Sequence, residues 1–167
     1  MRKVLVAFIC LVGAVSAPAA AQELYRLESA AGAFIAHLPG RPKYEAVPIS
    51  NGAFTLHQWL YDTPNTAYLV SYIDYARGHV QRNGLQFVLN SLTKGLHTDR
   101  IPVSERQITH DGHAARDVVV RTNDGFILRQ RHMMVGDRAY IWNYVGAPGS
   151  ETSPNVQEFF DSLQLRR

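Results

Sequence analysis

The chain has 167 residues, of which 46% are hydrophobic and 19% are charged, with a formal net charge of +3. Arg2 and Lys3 belong to the leader described next, so 15 of the 17 basic residues remain against 14 acidic ones, and the mature charge is +1. This near balance argues against a surface for nucleic acid or anionic membranes, which needs a basic cluster. The length fits one domain with a single core.

The N-terminus has the form of a secretory signal peptide. A short basic region precedes an apolar run over residues 4–15, which is shorter than the roughly 20 residues that span a bilayer. The small residues Ala19 and Ala21 predict cleavage after Ala21. We therefore expect a signal peptide over residues 1–21 and a single globular domain over residues 22–167.

Cysteine usage indicates the compartment. Cys10 is the only cysteine and lies within the predicted leader, so the mature chain has neither disulfides nor thiol chemistry. Small exported eukaryotic domains commonly depend on disulfides, and their absence beside an export signal indicates a bacterial periplasm. No second long apolar run follows, which predicts a protein without a membrane span.

Strand signals dominate the next part of the chain. The candidates are residues 24–27, 33–38, 44–49, 53–61 and 66–75. Pro48 places the third candidate at a sheet edge, because proline cannot donate to a ladder. The last two form a predicted hairpin, and the apolar character of both faces of residues 66–75 predicts a central position.

One long helix follows. Its apolar stripe consists of Leu85, Val88, Leu89, Leu92 and Leu96, which recur at helical spacing. Asn83 is placed to cap the start, and Gly95 and His97 stand where the helix is expected to end. This helix is expected to cover one face of the sheet.

A hairpin over residues 101–122 turns at Asp111 and Gly112, a strong short-range hairpin signal. The register places His110 directly opposite His113, with Cβ atoms about 5 Å apart. Two imidazoles at that distance suit zinc or copper, and Asp111 or His132 is a candidate third ligand. The favoured interpretation is two exposed histidines beside a surface turn, with no metal bound.

A longer hairpin over residues 126–146 turns at Gly136 and Asp137, where glycine at the first central position predicts a type II′ turn. This register predicts four cross-strand pairs: Val135 with Arg138, Met133 with Tyr140, Arg131 with Trp142, and Arg129 with Tyr144.

The two faces of this hairpin are both partly apolar. We call the side of Arg129, Arg131 and Trp142 the first face, and the side of Gln130 and His132 the second face. A solvated antiparallel face is usually more hydrophilic, so we expect helices on both faces. The two arginines are expected to stack on the opposite aromatic rings as ordinary cross-strand packing, in preference to an aromatic-basic patch that binds a ligand. The basic concentration that they form with residues 166–167 is interpreted as a solvated face.

A second helix closes the chain. Ser153 is its predicted cap and Pro154 its first residue, and its buried stripe is Val156, Phe159, Phe160 and Leu163.

Catalytic signatures are absent from the sequence: there is no nucleophile elbow, zinc-protease motif, phosphate loop or dinucleotide fingerprint. His37, His57 and His132 lie within predicted strands and are interpreted as packed or hydrogen-bonded. Trp59 and Trp142 are interpreted as core residues in preference to a stacking platform. We assign no catalytic, cofactor-binding or metal-binding residue.

Three segments together resemble a known family. Residues 34–42 resemble an "F-x-x-x-x-P-G-x-P" opening, residues 140–148 a final strand with its glycine-containing exit, and residues 159–165 an "F-F-D-S-F-x-L" closing signature. These features are similar to those of small exported bacterial proteins of the PsbP-like and DcrB-like family. The resemblance implies an α+β fold, an antiparallel sheet with helices packed on both faces in an α/β/α sandwich.

The resemblance also implies an accessory or assembly role, because PsbP-like proteins mostly act as non-enzymatic subunits. The leading hypothesis is a non-catalytic periplasmic domain that binds a protein partner, without nucleic acid or cofactor, and it predicts an exposed apolar or aromatic patch. The alternatives are a hydrolase with an unrecognised site, which predicts a polar pocket, and a metal-binding accessory protein that uses His110 and His113.

Overall fold

The computed structural model describes residues 24–166, and the predicted signal peptide with Cys10 lies outside these residues. The strands are β1 (Tyr25–Ser29), β2 (Phe34–Leu38), β3 (Lys43–Ile49), β4 (Phe54–Asp62), β5 (Ala67–Asp74), β6 (Ile101–His110), β7 (His113–Arg121), β8 (Ile127–Val135), β9 (Arg138–Gly146) and β10 (Gln164–Leu165). The helices are α1 (His79–Asn83), α2 (Leu85–His97) and α3 (Pro154–Ser162), with a 3₁₀ turn at Ser150–Thr152.

A seven-stranded sheet forms the centre of the fold. Its strand order is β3-β4-β5-β9-β8-β7-β6, and every neighbouring pair is antiparallel. The α+β class with an antiparallel sheet is therefore confirmed. The strand that contains Pro48 lies at one edge, and β5 lies inside the sheet, as their sequences predict.

Both predicted two-residue turns are present. The β8–β9 hairpin turns at Gly136, whose φ of 59° fits the first central position of a type II′ turn. The four predicted cross-strand pairs of this hairpin are all observed. In the β6–β7 hairpin, Asp111 and Gly112 have φ of 46° and 81°, as a type I′ turn requires, and His110 faces His113.

A second, smaller sheet has the order β1-β2-β10 and was not foreseen. Its central strand pairs with β1 through five residues and with β10 through two, and the backbone N–H of Arg166 donates to the carbonyl of Ala33. The two ends of the described chain therefore meet in one sheet. A two-residue strand has too little pattern to be recognised in sequence.

The main core joins this small sheet and α3 to the large sheet. Its buried members include Leu27, Phe34, Leu38, Tyr68, Val70, Met133, Tyr140, Trp142, Tyr144, Val156, Phe159, Phe160 and Leu163. The side chains that β8 and β9 contribute to it belong to the first face. Two further clusters lie under α2, where Val88 and Leu89 pack with Met134, and Leu96 packs with Val118 and Val120.

The start of the long helix differs from the prediction. Asn83 does not cap it, because Asn83 is the last residue of α1, and Gly84 stands at the N-cap of α2. The turn before α1 is held by Asp137, whose carboxylate accepts the backbone N–H groups of Gly78 and Val80 at 2.6 and 2.9 Å. This partner is far away in sequence and gives no local signal.

The end of α2 agrees with the sequence. The helix ends at His97, one of the two residues at which an end is expected, and Gly95 lies within its last turn. This turn is stabilised by packing, because Leu96 is buried against Val118 and Val120. In the described part of the chain, no helix has the length and apolar character needed to cross a membrane.

Candidate functional site

The two hairpin arginines are buried, so their interpretation as part of a solvated face is wrong. Arg129 is 4% exposed and Arg131 is 6% exposed. Both bind the carboxylate of Asp117, which is 1% exposed. Arg129 donates to its two oxygens at 3.1 and 2.8 Å, and Arg131 donates to Oδ2 at 3.2 and 2.9 Å. The register of β7 and β8 explains this contact, since Asp117 stands opposite Arg131.

The remaining N–H groups of the two arginines donate hydrogen bonds to α3 and to the turn before it. Arg131 Nη1 donates to the carbonyl of Phe160 at 2.9 Å and to Asp161 Oδ1 at 3.0 Å. Arg129 Nη1 donates to the carbonyl of Glu151 at 3.0 Å. The network therefore ties the central sheet to α3 and the turn before it.

The cation–π partner of these arginines also differs from the prediction. Both guanidinium groups lie over the ring of Phe160, at 4.3 Å for Arg129 and 5.4 Å for Arg131. Trp142 and Tyr144 are the partners of the two arginines on the neighbouring strand β9, whereas Phe160 belongs to α3. The cation–π partner therefore depends on how α3 packs on the sheet, which strand pairing alone does not indicate.

The charge state of Asp117 follows from its partners. Burial by itself raises the pKa of this carboxyl, but the hydrogen bonds and positive charges of Arg129 and Arg131 outweigh it and place the pKa below its usual value. Asp117 is the negative centre of a mainly positive cluster that also includes Arg106, whose Nη2 lies 3.8 Å from Oδ2.

Of the histidine pair at the β6–β7 turn, His110 is engaged in other contacts, and His113 is half-buried. His110 is 9% exposed, and its Nε2 donates to the carbonyl of Leu163 at 2.7 Å. Its Nδ1 faces Nη1 of Arg131 at 3.4 Å. Burial, followed by the charge of Arg131, lowers the pKa of His110 against the opposing hydrogen bond to Leu163. His110 is thus buried and not exposed, and its ring joins β6 to the segment after α3.

Within residues 24–166, no group of three or more His, Cys, Asp or Glu side chains is placed to hold a metal ion. The two proposed third ligands are also occupied. Asp111 accepts the backbone N–H of Leu165 at 2.8 Å. His132 lies beneath α2, where Nε2 contacts the carbonyl of Leu89 at 3.1 Å and Nδ1 contacts Gln130 at 3.0 Å.

His132 is a packed histidine, as predicted. It is fully buried, and burial lowers its pKa to about 4 despite its hydrogen bond to Leu89. The tryptophans are core residues, as predicted: Trp142 is fully buried, and the ring of Trp59 packs edge-to-face on Phe34 at 5.3 Å.

A cleft of about 490 Å³ opens beside β6 on the first face. Its lining residues are Val103, Ser104, Arg106, Val119, Arg129, Glu151, Thr152 and Gln157. The charged members were not identified from the sequence as one site, because they come from three separate segments. No single segment contains a recognisable binding motif.

The second face of the large sheet is covered unevenly. Residues of α2 pack on β7, β8 and the start of β9, as described above. On β3, β4 and β5 and the end of β9, several apolar side chains are half-buried: Val47, Leu56, Leu60, Leu69 and Val145. In the described part of the chain, none of the five belongs to a core cluster. We call these five residues the open patch.

The register places the five residues of the open patch in two groups on this face. Val47 pairs with Leu56, and Leu60 pairs with Leu69, while Val145 pairs with Ala67, two residues from Leu69. Gln58, which is hydrogen-bonded to Glu45, lies between the two groups. Directly paired side chains lie on the same face of a sheet, about 4.5–5.5 Å apart at Cβ. The leading hypothesis predicts an exposed apolar or aromatic patch, whereas these five side chains are half-buried. Their position was not predicted, because alternation alone does not show which half of a face a helix covers.

Comparisons with known proteins identify the fold. No protein-family profile and no curated protein sequence matches the chain. The solution structure of the cyanobacterial PsbP protein CyanoP, from Synechocystis sp. PCC 6803, is similar with a TM-score of 0.59 at 8% identity, covering 89% of this chain and 96% of that chain. A protein of unknown function from Pseudomonas aeruginosa, described as a putative regulator, has a TM-score of 0.52 at 12% identity, covering 77% and 99%. The PsbP-like resemblance is confirmed, and at these identities the likeness concerns the fold.

Proposed function

We propose that the protein is a non-catalytic periplasmic accessory domain that binds a protein partner through the open patch. The observation that carries this proposal is a set of half-buried leucine and valine side chains, in two groups on one sheet face, outside every core cluster of residues 24–166. Apolar side chains that a fold leaves partly in water gain free energy when a partner covers them. Apolar surface patches are a common mark of protein interfaces.

The proposal includes the α/β/α arrangement, with coverage of the second face left incomplete. Consecutive residues of β8 support it, because Arg131 contacts the carbonyl of Phe160 in α3 while His132 contacts the carbonyl of Leu89 in α2. Neighbouring residues of a strand point to opposite faces. The part of the second face that α2 does not cover contains the open patch, and this is the surface proposed to bind the partner.

The proposed role is favoured over the two alternatives by the contacts of the candidate side chains. A metal at His110 would have to displace the bond to Leu163 and approach the guanidinium of Arg131. Against the hydrolase alternative, the hydroxyl of Thr152 in the cleft is already engaged, because it donates to the carbonyl of Gly149. Among the described residues, the cleft is lined by no histidine that would act as a base.

A charge-matched pair of double variants tests the partner surface. Leu60→Lys with Leu69→Lys places two cations in the open patch, whereas Thr55→Lys with Thr109→Lys adds the same charge at exposed positions outside it. The tagged mature proteins, with thermal unfolding checked for each, are used to capture partners from the periplasmic extract of the source bacterium.

Intact mass of the purified protein should show a chain that begins at Gln22.

We expect a stoichiometric partner that is retained by wild type and by the threonine control and lost from the leucine variant, because burying an unpaired ammonium group at an interface is unfavourable. Retention by a folded leucine variant would exclude the open patch as the partner surface. The absence of any partner of the wild-type protein would remove the basis of the proposal.

A further inference from the structure

We propose that the cleft beside β6 binds a small zwitterionic ligand, an amino acid or short peptide, with Arg106 receiving its carboxylate and Glu151 its ammonium group. This site lies on the first face, away from the open patch, and does not depend on the proposed partner surface. Its volume of about 490 Å³ is in the range of small-molecule sites, which join apolar walls to a few convergent polar groups.

Arg106 supplies a positive charge that is only weakly paired within the protein. Its side chain is 65% exposed, and its ion-pair partner, Oδ2 of Asp117, is 3.8 Å away from Nη2. That oxygen already accepts hydrogen bonds from Arg129 and Arg131 at 2.8 to 3.2 Å. Arg106 therefore retains donors for a carboxylate, and its planar guanidinium group suits bidentate recognition of that group.

Glu151 supplies the complementary acceptor. It lines the cleft from the 3₁₀ turn before α3, and its Oε2 is buried without a hydrogen-bond partner among the described residues. A buried carboxylate oxygen without a donor is costly. Rotation about the terminal side-chain torsion, which is soft, presents this oxygen to an ammonium group in the cleft.

The cleft is built on a rigid support. The backbone carbonyl of Glu151 accepts Nη1 of Arg129 at 3.0 Å, and Arg129 is anchored on Asp117. Val119 is 7% exposed and Val103 is 52% exposed, and both line the cleft with apolar surface. A cleft that is lined by opposite charges and by apolar surface fits a ligand that carries both charges and an apolar side chain.

Titration of the mature protein with leucyl-leucine, followed by amide NMR shifts and calorimetry, tests the site. Free leucine, N-acetyl-leucyl-leucine and leucyl-leucine amide serve as comparison probes. We expect saturable shifts at Ser104, Val119 and Thr152, and about tenfold weaker binding when either charged end of the dipeptide is blocked, which corresponds to one charge-assisted contact.

Two variants test which side chain binds each charged end of the ligand. Glu151→Gln should abolish the difference between leucyl-leucine and its N-acetyl form, and Arg106→Gln should abolish the difference between leucyl-leucine and its amide. Arg26→Gln, at an exposed arginine of β1, is the control and should keep both differences. Tighter binding of leucyl-leucine than of leucine would identify a peptide site, and the reverse an amino-acid site. The absence of saturable shifts at millimolar probe, or equal binding of free and blocked dipeptides, would overturn the proposal.

Discussion

At the scale of single residues, the charged network around Asp117 stabilises the contact between the sheet and α3. Substitution of Asp117 by Asn keeps the shape of the side chain but leaves Arg129 buried without a counter-charge and Arg131 with only the exposed carboxylate of Asp161. We expect a loss of roughly 3–5 kcal/mol in the free energy of unfolding, the typical cost of removing one partner from a buried ion pair. Urea denaturation measures this difference.

Two controls separate charge from packing. Glu28→Gln removes a carboxylate from the exposed pair with Arg26 and should leave the urea midpoint close to that of wild type. The triple replacement of Asp117 by Leu and of both arginines by Met should recover much of the lost stability, because apolar groups of similar size commonly replace buried ion pairs without cost. A midpoint for Asp117→Asn equal to that of Glu28→Gln would contradict a structural role for the network.

At the scale of elements, two glycines differ in the space around them: Gly146 lies at a crowded strand end, and Gly95 lies on an open helix surface. A Cβ at Gly146, the last residue of β9, would collide with the ring and hydroxyl of Tyr144. That ring is 2% exposed and its hydroxyl donates to Ser150 at 2.8 Å, so it has little room to move. Gly146→Ala should therefore cost about 1–3 kcal/mol, the usual range for overpacking.

Gly95 is the matched control. It lies inside α2, and a Cβ there meets no heavy atom within 4 Å. Gly95→Ala should raise the free energy of unfolding by about 0.5–1 kcal/mol, because alanine favours helix interiors. Thermal unfolding of both variants checks the contrast, and equal tolerance of alanine at the two positions would refute the packing described for Tyr144.

The helix boundaries show why sequence reasoning was incomplete at this scale. Asn83 is a good capping residue, with a local preference of about 1 kcal/mol, but the short helix α1 precedes α2 and takes Asn83 as its last residue. The turn before α1 is held by Asp137 through the N–H groups of Gly78 and Val80, and this distant partner gives no local signal. The end of α2 at His97 is one of the two positions that the sequence indicates.

At the scale of the whole molecule, stability should fall as the pH falls from about 6.5 to about 4. The pKa of His132 is lowered from 6.5 to about 4 by burial, so in this window the unfolded chain binds a proton that the folded protein does not. Protonation therefore favours unfolding, with a contribution of up to about 3 kcal/mol at the acidic end.

Substitution of His132 by Asn should flatten this dependence. His110, whose pKa is also lowered by burial, contributes in the same direction, so a smaller slope remains in the variant. Below this window the lowered pKa of Asp117 adds a further loss in both proteins, since a carboxylate that is stabilised in the folded state must then be protonated. Urea denaturation across the pH range gives the slopes, and identical slopes in wild type and variant would contradict the account of His132.

The sequence by itself determined the nine longer strands, both tight turns, the register of the β8–β9 hairpin, the two longer helices and the PsbP-like class. These features depend on alternation, turn chemistry and helical spacing, which act over a few residues. Only the tertiary structure decided that Arg129, Arg131 and His110 are buried, that a short tail strand completes a second sheet, and which half of the second face α2 leaves open. The partners responsible — Asp117, Phe160 and Leu163 — are distant in sequence, and the cost of burying a charge is offset only when such partners meet in space.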